Sequence, residues 1–202
     1  MRSRKQKNPN RVAAGKRSKR KGNGNERDAA NQFKAWWGVG EWARVPASGG
    51  WATANHREAF RACGDIMTTD TEFPFTVELK HVEGWDLNQM LTAPACLPYE
   101  WWDQTTGETP EDSIPLLVMR RNRTKPIVMT RPFPALNSYL THNNVVRFYL
   151  HGTETLVIFK LEDLFKIPRE VILDMANEEI PRCDKCKQVA LKCKCLEKSL
   201  NK

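Results

Sequence analysis

Two carboxylates and one lysine stand at spacings that suit metal-dependent chemistry. Residues 73–80 are rich in aromatic and β-branched side chains and predict a strand. Side chains alternate along a strand, so Glu78 and Lys80 share one face. Asp65 precedes Glu78 by thirteen residues, which allows one strand to end and the chain to turn back onto the next. We therefore expect the three side chains to converge at one edge of a sheet.

This trio predicts a magnesium site beside a lysine. Two neighbouring carboxylates repel each other, and a divalent cation relieves that repulsion. Magnesium prefers hard oxygen ligands and usually keeps several waters. An adjacent lysine can orient or deprotonate the attacking water and offset the charge that grows on a phosphate. The alternative is an exposed, charged strand face. Against it, residues 78–80 form the only Glu-x-Lys or Asp-x-Lys triplet in the sequence.

Length and composition indicate one domain with tails. The chain has 202 residues, of which 40% are hydrophobic and seven are Trp, so it can bury a substantial core. It contains no apolar run near the ~18 residues of a membrane span and no apolar signal-peptide core at its N-terminus. We expect an intracellular, cytoplasmic protein without a membrane partner.

The net charge of +8 is concentrated at the two ends of the sequence. Residues 1–23 contain ten Lys and Arg and no acidic residue, and residues 176–202 carry +3. Residues 24–175 carry −5. Binding of a polyanion is therefore expected to depend on the tails, assisted by local arginine clusters in the body.

Residues 1–24 lack an apolar period and predict a disordered basic arm that contacts nucleic acid. The alternatives are a solubilising tail and a targeting sequence. Asn25 is predicted to cap a helix over residues 25–37, which carries one apolar stripe. Glu26 lies in the first turn of that helix, where a carboxylate also suits the helix dipole.

Two further segments are candidates for contact with a ligand. A short strand over residues 41–46 leads into Ala47-Ser48-Gly49-Gly50, which reads as a mobile loop that approaches a ligand or as an ordinary hairpin turn. A buried strand over residues 114–119 is followed by a basic turn, which reads as a phosphate contact or as a solvated turn. The cations of that turn are Arg120, Arg121, Arg123 and Lys125.

The remaining pattern predicts further strands and helices. Further strands are expected over residues 127–130, 145–150 and 156–159, and helices over residues 85–91, 161–166 and 169–175. Residues 98–113 are polar and contain Pro and Gly, so we expect a loop there.

Four of the six cysteines fall within thirteen residues near the C-terminus. They are Cys183, Cys186, Cys193 and Cys195, a Cys-x2-Cys followed by a Cys-x-Cys. Four thiolates at this spacing favour tetrahedral structural zinc, which would supply the folding energy of a segment too short to form its own core. Disulfides and an iron–sulfur cluster are the alternatives.

Taken together, these motifs resemble the PD-(D/E)xK nuclease superfamily, and within it the archaeal-type Holliday-junction resolvases that some bacteriophages also carry. The resemblance covers roughly residues 24–130. Its motifs are Asn25-Glu26-Arg27, Arg44, Ser48-Gly49-Gly50, Gly64-Asp65-Ile66 and Val77-Glu78-Leu79-Lys80.

The resemblance implies a role for each matching residue. Asp65 and Glu78 would bind magnesium or manganese with the Leu79 carbonyl, and Lys80 would be the catalytic lysine. Glu26 would reach the site as a ligand or through a water. Ser48 would contact the region of the scissile phosphate, and Gln89 or Gln104 would supply a downstream glutamine. The expected DNA contacts are Arg27, Arg44, Ser48, Gly49, Arg120, Arg121, Arg123 and Lys125.

We therefore predict an α/β fold: a restriction-endonuclease-like central mixed sheet flanked by helices. The nuclease domain would span residues 25–175, between the disordered arm (1–24) and a zinc-binding tail (176–202). The predicted function is magnesium-dependent cleavage of branched DNA by a homodimer, as in recombination and repair. An exonuclease, an end- or flap-processing nuclease and a non-catalytic DNA-binding protein are the alternatives.

Overall fold

The computed structural model describes residues 9–46, 61–93, 95–132, 136, 139, 145–150 and 154–179. Ser48, Gly49 and the four C-terminal cysteines lie outside these residues, so the predictions made for them stay predictions. Within the described part of the chain, no helix is long and apolar enough to cross a membrane.

The described residues form five helices and eight strands. The helices are α1 (Pro9–Trp37), α2 (Leu87–Thr92), α3 (Leu97–Glu108), α4 (Leu161–Leu164) and α5 (Arg169–Glu179). The strands are β1 (Trp42–Arg44), β2 (Arg61–Cys63), β3 (Ile66–Thr68), β4 (Phe75–His81), β5 (Ile114–Arg120), β6 (Ile127–Thr130), β7 (Val146–Leu150) and β8 (Glu154–Lys160).

A five-stranded mixed sheet forms the centre of the fold. Its strand order is β4-β5-β6-β8-β7, in which β4 and β5 are parallel and the other pairs are antiparallel. A smaller antiparallel sheet has the order β1-β3-β2. The prediction of a central mixed sheet flanked by helices is confirmed.

The central sheet is buried on both faces. Val77, Leu116 and Val118 pack with Phe33 and Trp37 of α1 on one face. The alternate side chains, such as Leu117 and Met119, pack with Met90 of α2 and Trp102 of α3 on the other. This two-sided burial explains why β5 reads as a continuous apolar run rather than an alternating one.

Helix α1 begins earlier than predicted. It starts at Pro9 rather than at Asn25, so residues 9–24, which we expected to be disordered, are helical in the structure. Alanine, lysine and arginine in this segment have high helix propensity, and its polarity concealed that signal. Asn25 is therefore not a cap; its side chain instead contacts His81.

The loop predicted over residues 98–113 is also wrong, because most of it is α3. Pro98 occupies the first turn, where its missing N–H has no cost, and Trp102 is fully buried against the sheet. The hydroxyls of Thr105 and Thr106 donate to the carbonyls four residues back. Burial of Trp102 thus overrides the weak helix propensity of the threonines and Gly107.

Candidate active site

A tight turn brings Asp65 to the free edge of β4. Gly64 and Asp65 connect β2 to β3, and the Asp65 N–H donates to the Val77 carbonyl at 2.8 Å. The Leu79 N–H donates to Asp65 Oδ2 at 2.8 Å. Both bonds use backbone groups of the β4 edge that faces away from β5, so the Asp65 carboxylate is fixed beside residues 77–79.

The turn depends on glycine at position 64. Gly64 has a φ of +76°, and a Cβ at this position would lie 2.3 Å from the Val77 carbonyl oxygen. A backbone atom cannot move aside as the end of a side chain can, so no other residue fits here without displacing the turn. Gly64 therefore allows the close approach that positions Asp65.

Glu78 and Lys80 lie on the face of β4 that is turned toward α3. Lys80 Nζ is 2.6 Å from Glu78 Oε1 and donates to Gln104 Oε1 at 2.8 Å. The Gln104 amide nitrogen donates in turn to Glu108 Oε1 at 3.1 Å. The side chains of Glu78 and Lys80 are only 11% and 17% exposed, so water weakens their interaction little. Lys80 is thereby held between two oxygens.

The Asp65 carboxyl resists ionisation. Burial and the neighbouring charge of Glu78 raise the pKa of Asp65 from 3.8 to about 6. The hydrogen bond from the Leu79 N–H and the charge of Lys80 act in the opposite direction, and Glu26 adds to the increase. Asp65 and Glu78 thus form a pair whose charges repel each other inside a partly desolvated site.

Glu26 approaches this site from α1 but has a partner of its own. Arg44 Nη1 of β1 lies 3.3 Å from Glu26 Oε2, and about a quarter of each side chain is exposed. Glu26 is near enough to affect the pKa of Asp65. The structure thus joins two predicted site residues, Glu26 and Arg44, in one ion pair.

The donor chemistry of this edge suits a hard divalent cation. A cation beside Asp65 and Glu78 would relieve the repulsion that raises the pKa of Asp65. Within the described ranges, no group of three or more His, Cys, Asp or Glu residues could hold a metal ion. Two carboxylates and the Leu79 carbonyl leave positions for water, which is the coordination that magnesium prefers.

The predicted basic turn is not a single cationic surface. Arg121 donates to the Trp85 carbonyl at 3.1 Å, and its guanidinium lies 5.4 Å from the centre of the Trp85 indole ring. Lys125 pairs with Glu162 at 2.7 Å. Arg123 is exposed, whereas Arg120 is half-buried at the end of β5. Arg27, another predicted DNA contact, is exposed on α1.

The resemblance names Gln104 as one of two candidate glutamines, but sequence reasoning did not predict its contact with Lys80. Gln104 has no structural context in the sequence, because its segment reads as a loop rather than as α3. The pair Trp101-Trp102 after Leu97-Pro98 is the signal that indicates a buried helix here. The contact between Asn25 and His81 joins residues 56 apart in sequence and has no local signal.

Comparison with known proteins gives the same assignment as this geometry. The family model described as "Phage putative PDDEXK endonuclease" matches residues 17–174. The chain belongs to this phage endonuclease family. A search of curated proteins and a search of solved structures each find no match.

The family match confirms the resemblance to PD-(D/E)xK nucleases. It includes every residue of the β4 edge described above, together with Glu26 and Gln104. It begins within the basic segment of α1 and ends before the four clustered cysteines. The phage endonuclease family therefore accounts for the central domain.

Proposed function

We propose that this phage-family endonuclease is a magnesium-dependent Holliday-junction resolvase that cuts branched DNA as a homodimer. The observation that carries the nuclease assignment is the convergence of Asp65, Glu78 and Lys80 at the edge of β4, with Gln104 holding the lysine. The products would be a 5′-phosphate and a 3′-hydroxyl, as the resemblance implies.

Asp65, Glu78 and the Leu79 carbonyl would hold magnesium or manganese. When bound, such an ion supplies a water of lowered pKa and offsets charge on the phosphate. Asp65, with a pKa of about 6, is ionised at neutral pH and is then able to act as a ligand. Glu26 of α1 would contact the ion through a water, or bind it directly once the ion pair with Arg44 is broken.

Lys80 has a role that follows from its hydrogen bonds. An ammonium group has three N–H donors, and Glu78 and Gln104 occupy two of them. The third remains for a phosphate oxygen or the attacking water. Because two acceptors already fix its position, Lys80 can offset the developing negative charge without first having to be oriented.

Branched DNA is proposed as the substrate because of two motifs that precede the acidic pair in the sequence. Asn25-Glu26-Arg27 and Ser48-Gly49-Gly50 match the resolvase branch rather than the superfamily as a whole. Resolution of a four-way junction needs two symmetric cuts, which a two-fold dimer delivers. We place this activity in phage DNA recombination or repair in the host cytoplasm.

A cleavage panel tests this proposal. Four-way junctions, flaps, duplex and single strands are incubated with magnesium, with manganese and with chelator. We expect paired symmetric nicks in the four-way junction alone, and only with metal. Cutting of flaps or ends would support the exonuclease or flap-nuclease alternative instead. Tight binding without any cutting would favour a non-catalytic DNA-binding protein.

The substitution Asp65→Asn assigns the cleavage to this site. It should abolish cutting in every substrate while leaving DNA binding nearly unchanged. A folded Asp65→Asn protein that still cuts would show that the catalytic residues lie elsewhere.

We also propose that Cys183, Cys186, Cys193 and Cys195 bind one structural zinc ion. The support is their spacing and the flanking lysines, which lower thiol pKa values. Elemental analysis of purified protein should give one zinc per chain, and Cys186→Ser should remove it. Zinc retained by that variant would contradict the assignment.

A further inference from the structure

A cavity of about 120 Å³ lies under α1, at the carboxyl ends of β4 and β5. This is several times the volume that one buried water needs. Among the residues around it are Gly22, Asn25 and Glu26 of α1, Lys80 and His81 of β4, and Arg120 of β5. Two candidate site residues, Glu26 and Lys80, are part of its lining, so the cavity adjoins the candidate active site.

The strand register explains why a histidine and an arginine side chain face this cavity. His81 lies opposite Arg120 in the parallel pairing of β4 with β5. Alternation places both on the face turned to α1, directly after Leu79 and Val118, which pack in the core on that face. The side chain of Asn25 on α1 contacts His81 across the cavity.

Arg120 is incompletely satisfied in this position. Its Nε is buried and finds no hydrogen-bond acceptor among the described residues. Two carboxylates of α1 border the cavity: that of Glu26 is paired with Arg44, and that of Asp28 belongs to an exposed residue. A buried cationic donor without an acceptor is uncommon and indicates a missing partner, here one that carries negative charge.

We propose that the cavity binds a backbone phosphate of the DNA strand next to the phosphate that is cleaved, with Arg120 as its main contact. This inference rests on the proposed function. A guanidinium matches phosphate oxygens in geometry and charge, whereas it would repel a cation bound beside it. The preceding part of α1, residues 9–21, contains six Lys and Arg and no acid. A DNA strand that leaves the active site past this cavity would therefore meet the basic part of α1.

The salt dependence of DNA binding tests the cavity. Binding of a fluorescent four-way junction is measured over a range of potassium chloride concentrations, on an Asp65→Asn background so that no strand is cut. Arg120→Gln should weaken binding and lower the slope of log K against log salt by about 0.9, the contribution of one phosphate contact. Lys34→Gln is the matched control, because it removes an exposed cation elsewhere on α1.

A second variant keeps the test valid where Arg120→Gln does not fold. Asn25→Asp adds a carboxylate to the cavity with almost no change of shape and should repel the phosphate, giving a similar loss of slope. Asn88→Asp makes the same change at an exposed position of α2, outside the cavity.

Slopes for Arg120→Gln and Asn25→Asp that equal those of their controls would overturn the cavity assignment. Cleavage by protein with native Asp65 is read in parallel and tests the proposed function. If that protein cuts the junction while the salt slope of each cavity variant equals that of its control, the cavity assignment alone fails. If it cuts no DNA, the proposed function fails.

Discussion

The raised pKa of Asp65 links the free energy of unfolding to the proposed metal site. In the unfolded chain its pKa has the ordinary value of 3.8, and in the folded protein burial and Glu78 raise it to about 6. Between these values the folded state binds more protons, so the free energy of unfolding falls as pH rises from about 4 to 6. At neutral pH the metal-free site is thus destabilised by at most about 3 kcal/mol.

Substituting Asp65 by Asn should therefore stabilise the metal-free protein at neutral pH, by roughly 1–3 kcal/mol. Magnesium should raise the melting temperature of the native protein, since it relieves the same repulsion, but not that of the variant. Urea denaturation and thermal melting with and without magnesium measure both effects. Asp103→Asn, an exposed position on α3, is the control. Equal stabilisation of the native and Asp65→Asn proteins by magnesium would contradict Asp65 as a ligand.

Gly64 is the residue on which the position of Asp65 depends. Gly64→Ala places a methyl group against the Val77 carbonyl and should destabilise the protein by roughly 3 kcal/mol or more. Gly84→Ala has the same type of backbone strain, with a φ of +85°, but open space around its Cβ. It should cost only about 1–2 kcal/mol. Urea denaturation of the two variants separates the clash from the backbone strain; equal losses of stability would show that the clash with Val77 does not matter.

At the scale of elements, α3 completes the surroundings of Lys80. Gln104 accepts from Lys80 and donates to Glu108 one turn further along the helix, so its amide is oriented at both ends. Gln104→Ala should slow junction cleavage by about tenfold to a hundredfold through misplacement of Lys80, with DNA binding unchanged. Gln89→Ala on α2, where the other candidate glutamine lies, should cut at the native rate. Slow cleavage by Gln89→Ala together with native cleavage by Gln104→Ala would make Gln89 the glutamine that positions Lys80.

Elements with a clear local pattern could be predicted from the sequence, whereas β2, β3 and most of α3 could not. β5 and β6 follow from apolar runs that tertiary burial supports, and Asp65, Glu78 and Lys80 follow from period-two alternation and a turn at glycine. Helix α3 could not be predicted from its composition, because its stability comes from burial of Trp102. The resemblance offered Gln104 as one of two glutamines, but its contact with Lys80 could not be predicted, since it exists only when α3 packs on the face that carries Lys80.

At the scale of the whole molecule, positive charge is separated from the acidic body. The ten Lys and Arg of residues 1–23 precede a central region of net charge −5 that holds the acidic pair. DNA approaching the active site would be repelled by that region, so a cationic segment is needed nearby to offset the repulsion. Helix α1 places part of the basic segment in continuity with Glu26, Phe33 and Trp37 of the folded domain.

Deleting residues 1–21 should weaken junction binding by at least about tenfold and lower its salt slope by about 0.9 for each phosphate that the shortened protein no longer binds. The deletion removes all ten cations but keeps Gly22 at the cavity and the apolar stripe of α1. Deleting residues 1–8 removes four cations and leaves α1 whole, so the slope should fall by less. Fluorescence anisotropy over a salt series measures both. Slopes that stay at the native value in both deletions would mean that the cations of α1 do not contact DNA, and that the acidic body binds its substrate through the arginines of the folded domain alone.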